Sequence, residues 1–161
     1  MNRFRNAKPT DANRCFEIET DAYEGDEAAS LAKIAKRIET YPEGFLILEV
    51  DGLVVGFINC GCAFNVEMSD EEFKELIGHD PDAPNVVIMS VVVDPKHQGK
   101  GYSKALLIEF KRRMEALEKA TIHLMCKEHH VPLYEKFGYV YQQPSASDHG
   151  GMVWHEMSMT L

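Results

Sequence analysis

Three observations predict a single α/β domain for this chain of 161 residues. An almost unbroken apolar run at 86–93 is typical of a buried central strand, and a glycine turn and an amphipathic helix follow it. Two further apolar runs flank Asp51-Gly52, which is a strong hairpin signal. Hydrophobic residues make up 45% of the chain, enough to fill one core, and no repeat or linker interrupts it. We therefore expect one domain over residues 1–161.

The N-terminal part is predicted to hold one short strand and two helices. The strand covers Phe4-Arg5-Asn6, Thr10-Asp11 caps the first helix, and Glu24-Gly25-Asp26-Glu27 ends it. A second helix is expected at 30–41, closed by Pro42. Its apolar stripe consists of Leu31, Ile34, Ala35 and Ile38.

The rest of the chain supplies the remaining strands and helices. The hairpin strands are expected at 45–50 and 54–64, and a polar insertion at 67–77 reads as helical from its capping box, Ser69-x-x-Glu72. The later elements are a strand at 121–125, a short helix at 132–137 ended by Gly138, and strands near 139–142 and 153–159.

The glycine turn after the central strand predicts an anion site. Pro95 stops the strand's ladder, while Gly99 and Gly101 allow backbone angles and close approaches that a Cβ forbids. A helix is expected from Ser103, so unpaired N–H groups lie at its N-terminus and can bind phosphate. The apolar residues that recur at helical spacing are Leu106, Leu107, Phe110, Met114 and Leu117.

The spacing of the turn excludes the usual nucleotide motifs. It lacks the third glycine of a dinucleotide fingerprint and the Gly-Lys-Ser/Thr of a Walker loop. The pattern Gln98-x-x-Gly101-x-Ser103 instead resembles the acetyl-CoA pyrophosphate loop of the GNAT superfamily of N-acetyltransferases, with Ser103 where that family has glycine or alanine. The alternative is an ordinary strand-to-helix turn, which the flanking strand and helix disfavour. The resemblance implies cofactor contacts from Val91, Val92, Val93, Gln98, Gly99, Lys100, Gly101, Tyr102 and Ser103.

A second stretch narrows the resemblance to one group of that superfamily. Residues 131–139, Val-Pro-Leu-Tyr-Glu-Lys-Phe-Gly-Tyr, resemble a motif of the arylalkylamine N-acetyltransferases, and residues 18–30 resemble that group's substrate-side helix pair. The element order also matches, so the resemblance covers nearly the whole chain. It implies a GNAT fold, with splayed central strands that bind acetyl-CoA. The sheet would have about six or seven strands, flanked by about four helices. It also implies that Tyr134 protonates the departing thiolate; the alternative is that Tyr134 only packs its helix.

The general base does not carry over from that group. The two strand positions that hold histidines in vertebrate-type enzymes hold Val87 and Met89. His129 or His130, near Tyr134, remain open as proton acceptors. Through a water chain, so do Glu19, Glu67 and Glu128. The other histidines are His97 in the phosphate turn, His79 and His149 in loops, and His123 and His155 within strands.

Substrate contacts are predicted from position in the chain. Tyr23, Phe64 and Met89 are the substrate-binding residues, each of which also reads as ordinary core or surface. Met152 and Trp154 extend the same apolar cleft, with Glu24, Asp26 or Glu27 near the ammonium group. The backbone of Val91 to Val93 is expected to polarise the acetyl carbonyl, by resemblance. Three lysines match the phosphates of CoA in sign: Lys96, Lys100 and Lys104.

Composition limits the partners. A net charge of −9 argues against nucleic acid, and the lack of a long apolar run argues against a membrane span, so a cytoplasmic protein is expected. The four cysteines show no Cys-x-x-Cys pair, which favours reduced, buried thiols and no metal; a zinc site is the alternative. We expect an N-acetyltransferase acting on a small arylalkylamine or polyamine; a homodimer is compatible with the sequence. The alternatives are a protein or peptide N-acetyltransferase and a catalytically silent acyl-CoA-binding module.

Overall fold

The computed structural model describes residues 2–23 and 28–161, and in them seven strands and four α-helices follow the predicted order. The helices are α1 (Ala12–Ala22), α2 (Leu31–Thr40), α3 (Tyr102–Ala116) and α4 (Val131–Lys136). The strands are β1 (Asn2–Asn6), β2 (Phe45–Val50), β3 (Leu53–Ala63), β4 (Asn85–Val93), β5 (Thr121–Cys126), β6 (Val140–Pro144) and β7 (His155–Thr160). The predicted ending of the first helix at 24–27 lies outside the described residues.

The strands form one mixed sheet in the order β1-β2-β3-β4-β5-β7-β6. The pair β4–β5 is parallel, whereas β1–β2, β2–β3, β5–β7 and β6–β7 are antiparallel. The mixed α/β sheet predicted from the sequence is therefore confirmed. The hairpin turn falls at Asp51-Gly52, as expected.

Backbone contacts divide the chain into two compact units. The first consists of Met1–Cys60 and Ser90–Phe110, and the second of Gly61–Met89 and Lys111–Leu161. Strands β3 and β4 and helix α3 contribute residues to both units.

The first unit has its core between α1, α2 and the strands of the N-terminal hairpin. Ile18 in α1 and Ile34 and Ile38 in α2 are buried against Phe45 and Phe57, whose rings stack with centroids 5.3 Å apart. Each buried aliphatic side chain contributes about 1.5–3 kcal/mol of hydrophobic stabilisation. The amphipathic stripes thus fix which face of each helix meets the sheet.

The second unit leaves one face of β5 accessible. Ile122, Leu124 and Cys126 are buried, whereas the alternate residues Thr121, His123 and Met125 are half-buried. Because successive side chains of a strand point to opposite faces, this unit covers one face of the strand and leaves the other partly open.

Three details of the helix ends differ from the prediction. The Asp11 side chain does not cap α1; its carboxylate accepts hydrogen bonds from the Arg5 guanidinium and from the Lys8 N–H. The insertion forms a short 3-10 helix, Glu71–Glu75, capped by Asp70 instead of Ser69, because the Asp70 carboxylate accepts from the Glu72 N–H at 3.0 Å. Helix α3 ends at Ala116, so Leu117 lies beyond it and is 44% exposed.

Candidate active site

The predicted phosphate loop, residues 94–103, connects β4 to α3 within the first unit. A 3-10 turn, Pro95–His97, precedes Gly99 and Gly101, whose φ angles of 80° and 79° lie in the left-handed region that favours glycine. Both glycines and Lys100 are exposed, and α3 begins at Tyr102. The first N–H groups of α3 therefore start beside an exposed turn, as an anion site requires. This geometry fits a pyrophosphate group.

The polar side chains of the loop differ in their surroundings. Three lysines are exposed: Lys96, Lys100 and Lys104. Their charges can attract phosphate, and salt screens that attraction. The Gln98 amide donates a weak hydrogen bond, 3.5 Å long, to the Val93 carbonyl, which closes the loop onto the strand end. Ser103 is half-buried in the first turn of α3, so a small residue suits the position.

Asp94 anchors the start of the loop. Asp94 is 4% exposed; one carboxylate oxygen accepts from the Lys96 N–H at 3.0 Å and the other from Arg14 Nη2 at 2.7 Å. Arg14 also donates from Nε to the Val54 carbonyl at 3.1 Å. Burial opposes ionisation of Asp94, but these hydrogen bonds outweigh it and lower the pKa of the carboxyl. The loop is thereby fixed to α1 and to the hairpin.

The strand end at Val91, Val92 and Val93 is shaped by two neighbours. The Tyr23 hydroxyl donates a hydrogen bond of 3.1 Å to the Val91 carbonyl. A residue predicted to line an apolar cleft is therefore hydrogen-bonded to the backbone of β4. A Cβ at Gly56 would lie 2.7 Å from the Val92 carbonyl oxygen. Glycine at this position therefore permits β3 to approach β4 closely.

The first unit contains a cluster of buried polar side chains next to β4. Glu19 is 1% exposed and accepts hydrogen bonds from the Ser90 hydroxyl and the Ala29 N–H, one on each carboxylate oxygen. Arg37 is buried nearby and donates to Asn59 Oδ1 at 3.4 Å. Desolvation lowers the pKa of Arg37, and the charge of Glu19 opposes that shift. Glu19, one of the candidate bases, is engaged on both oxygens and closed to solvent.

Tyr134 lies on α4 in the second unit and is 8% exposed. Its ring meets that of Tyr139 edge to face, with centroids 5.8 Å apart. Burial, assisted by the nearby Cys126, raises the pKa of the phenol above its usual value, and burial also raises the pKa of Cys126 to about 11. The phenol therefore keeps its proton at neutral pH and can act as a donor.

This chain has apolar side chains at the two strand positions that hold histidines in vertebrate-type enzymes. Val87 is buried and packs with Ala63 and with Phe73 of the insertion, while Met89 is half-buried. The insertion thus covers Val87 in the second unit. Neither position offers a proton acceptor.

The other candidate bases have varied surroundings. His129 and His130 are exposed, with ring centroids 4.0 Å apart, and Glu67 and Glu128 are exposed. His79 Nδ1 accepts from the Cys62 N–H at 2.9 Å, and burial lowers the pKa of its ring. The remaining contacts are His149 with Glu71 at 3.1 Å, His155 with the Tyr141 hydroxyl at 2.9 Å, and His123 with Thr121 at 2.9 Å. The partners of His79, His149 and His155 come from other segments of the chain, so the sequence could not rank these groups.

The predicted substrate residues are spread over both units. Tyr23 is in the first unit, whereas Phe64, which is 62% exposed, and half-buried Met89 are in the second. Met152 and Trp154 are half-buried, also in the second unit, where the Trp154 indole donates to the His149 carbonyl at 2.8 Å. The predicted acidic residues Glu24, Asp26 and Glu27 lie outside the described residues. The roles of all these residues remain predictions.

Three further properties concern the cysteines, metal-ligating side chains and helices of the described residues. All four cysteines are buried, and none of them forms a disulfide within the described ranges. No cluster of three metal-ligating side chains occurs in residues 2–23 and 28–161. None of the helices in those residues is long and apolar enough to cross a membrane.

A mixed sheet whose central strand leads through a positive-φ glycine loop into a helix suits an acyltransferase that takes its acyl group from acetyl-CoA. The match of residues 12–139 to the model described as the Acetyltransferase (GNAT) family shows that the chain belongs to that family. The resemblance proposed from the loop is thus confirmed at the level of the family.

Known proteins extend this comparison. The chain is 29% identical to "Serotonin N-acetyltransferase" of Mesocricetus auratus, over 98% of the chain and 77% of that protein. The loading GNATL domain of CurA from Lyngbya majuscula has a similar structure, with a TM-score of 0.89 at 15% identity, covering 99% of this chain and 98% of that one. The putative acetyltransferase yncA from Salmonella typhimurium, solved with its cofactor acetyl-CoA, has a TM-score of 0.72 at 21% identity, covering 100% and 94%. These two structures share the fold.

Proposed function

We propose that the protein transfers the acetyl group of acetyl-CoA to the primary amine of a small arylalkylamine or polyamine. The observation that carries the proposal is the exposed loop with Gly99 and Gly101 at positive φ, placed directly before α3. Its open backbone N–H groups suit the pyrophosphate of CoA. The similarity to a serotonin N-acetyltransferase supports a small amine as the acceptor.

In this proposal the neutral amine attacks the acetyl carbonyl in a ternary complex. A C–N bond forms, the C–S bond breaks, the nitrogen loses a proton, and the thiolate gains one. Tyr134 supplies the proton to sulfur, since its buried phenol is protonated at neutral pH. The N–H groups of Val91 to Val93 polarise the carbonyl, and Lys96, Lys100 and Lys104 attract the phosphates.

The domain and its setting are proposed along with the activity. Residues 1–161 act as one acetyltransferase domain in the cytoplasm, and Tyr23, Phe64 and Met89 contact the acceptor. Helix α3 and strands β3 and β4 each span both compact units, which supports their acting together.

One observation favours a second acceptor class, a basic peptide. The 3-10 helix of the insertion exposes Glu71, Glu72 and Glu75, whose carboxylates suit lysine or arginine side chains. The apolar Val87 and Met89 are the feature that favours the other alternative, a catalytically silent acyl-CoA-binding module.

A thiol-release assay tests these proposals together. The protein is incubated with acetyl-CoA and, in separate reactions, phenethylamine, tryptamine, spermidine and basic peptides, while a parallel titration measures CoA binding. Turnover with the small amines supports the proposal, and turnover restricted to peptides supports the second acceptor class. CoA binding with no turnover on any acceptor would leave the silent module as the better account.

A further inference from the structure

His123 lies at the end of the ladder that pairs β5 with β4 in the second unit. The parallel ladder of β4 and β5 has the register partners Asn85 with Thr121, Val86 with Ile122 and Val87 with His123, and it ends there although β4 continues to Val93. His123 is therefore the last β5 residue paired with β4. It lies directly beside Val87, one of the two positions that lack the expected histidine.

We propose that His123 is the proton acceptor of the acetyl transfer, held by Thr121 and Asn85 so that its Nδ1 receives the proton lost by the amine. This inference rests on the proposed function and names the base that the sequence left open. The proton passes from the amine nitrogen through intervening water to Nδ1 and then to bulk water, while the nitrogen forms its bond to the acetyl carbon.

A chain of hydrogen bonds sets the protonation of the ring. The Asn85 amide donates from Nδ2 to the Phe64 carbonyl at 3.0 Å, so Oδ1 is its accepting end. The Thr121 hydroxyl donates its single proton to that oxygen at 2.7 Å. The contact of 2.9 Å between Thr121 Oγ1 and His123 Nε2 must then be a bond donated by Nε2–H.

This tautomer leaves Nδ1 as the unprotonated nitrogen of the neutral ring. Nδ1 has no hydrogen-bond partner among the described residues, and His123 is on the half-buried face of β5. An oriented imidazole with one nitrogen fixed by the protein and the other available is the arrangement that general bases use.

The surroundings also suit a base that works at neutral pH. Burial lowers the pKa of the His123 ring, so it is neutral before reaction, and Glu156 on β7 opposes this shift by stabilising the cation. Ser158 lies opposite His123 on β7, and Asn85 and Val87 face it from β4, none of them ionisable near neutral pH. Glu156 is thus the charged neighbour that affects its titration.

Two titratable residues of β5, His123 and Cys126, point to opposite faces of the strand. His123 is on the half-buried face, whereas Cys126, whose thiol influences Tyr134, is on the buried face.

The test compares His123→Gln with His155→Gln, a half-buried histidine of β7 whose partner in the register is Cys126. For His123→Gln we expect a loss of about 10²–10⁴-fold in kcat, little change in CoA affinity, and loss of the acidic limb of the pH profile of kcat. In the wild type that limb should lie below about pH 6.5, the ordinary imidazole pKa. Glu156→Gln should move it to lower pH, and His155→Gln should leave it in place.

A spectroscopic readout tests the tautomer without turnover. Long-range ¹H–¹⁵N spectra of the free protein should show His123 protonated at Nε2, and Thr121→Val should weaken that preference. A ring protonated at Nδ1, or an active wild type whose turnover and acidic limb survive His123→Gln, would overturn the assignment of the base alone. A wild type inactive on every acceptor would overturn the proposed function with it.

Discussion

The Glu19 carboxylate accepts a hydrogen bond of 2.7 Å from the Ser90 hydroxyl, and both side chains are buried. The contact ties α1 to β4 at the residue before Val91, whose carbonyl accepts the Tyr23 hydroxyl. Two polar contacts from one helix and its C-cap thus hold consecutive residues of the strand. The Ala29 N–H, which donates to the other carboxylate oxygen, and the charge of the buried Arg37 offset the cost of burying this side chain.

Removing either partner of this contact should destabilise the protein. Ser90→Ala leaves one carboxylate oxygen without its donor, which should cost about 1–3 kcal/mol of unfolding free energy. Glu19→Leu leaves Arg37 buried without its counter-charge, with an expected cost of about 3–5 kcal/mol. Urea unfolding followed by circular dichroism measures both. Asp21→Asn, on the exposed side of α1, is the control, expected to lie within about 0.5 kcal/mol of wild type.

The phosphate loop should respond to alanine at Gly101 through both strain and cofactor affinity. A Cβ at a φ of 79° costs about 1–2 kcal/mol, and relief of that strain would move the N–H groups of the turn. We expect weaker CoA binding by calorimetry. Gly78→Ala is the matched control, since Gly78 has a φ of 90° and equally open surroundings but lies outside the loop. Equal CoA affinity in the two variants would contradict the assignment of the loop.

Tyr134→Phe should reduce turnover by about 10²-fold or more while CoA affinity stays the same, because only the donated proton is lost. Tyr139→Phe is the control, since it preserves the edge-to-face ring pair with Tyr134. Steady-state kinetics and a binding titration separate the two effects. Undiminished kcat in Tyr134→Phe would remove the phenol from the acid role.

Stability should fall at acidic pH through Asp11 and Asp94. Burial raises the pKa of Asp11, but the hydrogen bonds from Arg5 and Lys8 outweigh burial and lower that pKa. The hydrogen bonds from Lys96 and Arg14 lower the pKa of Asp94 in the same way. Each folded-state pKa lies below the unfolded value of about 3.9, so the stabilisation is complete above that value and is lost as the pH falls through the folded pKa. The variant Asp11→Asn/Asp94→Asn should be less stable at neutral pH and lose less stability on acidification, as thermal unfolding between about pH 6 and 2 can measure.

Most of the fold could be predicted from the sequence because its signals are local. Strand periodicity, the Asp51-Gly52 turn and the stop at Gly138 each depend on neighbouring residues, and the structure confirms them. The loop could be recognised for the same reason, since its glycines and flanking elements are contiguous. The start of the insertion's helix could not be fixed from the sequence, because the competing caps Ser69 and Asp70 lie side by side.

The site's supporting contacts could not be predicted, because they join distant segments. Arg14 and Asp94 are 80 residues apart, and Glu19 and Ser90 are 71 apart. For His123, the spacing Thr121-x-His123 places both side chains on one face of a strand. Only the register with β4 reveals that Asn85 orders them and that Val87 lies alongside.

Gly56 lies outside the phosphate loop, yet the packing of β3 on β4 depends on the absence of a side chain at this position. A single methyl group there would collide with the Val92 carbonyl and push β3 away from β4. A random-mutagenesis screen for loss of activity should therefore recover substitutions at Gly56 as readily as substitutions in the glycine turn. Such variants would identify the spacing of the strands, as well as the chemistry of the loop, as a requirement for activity.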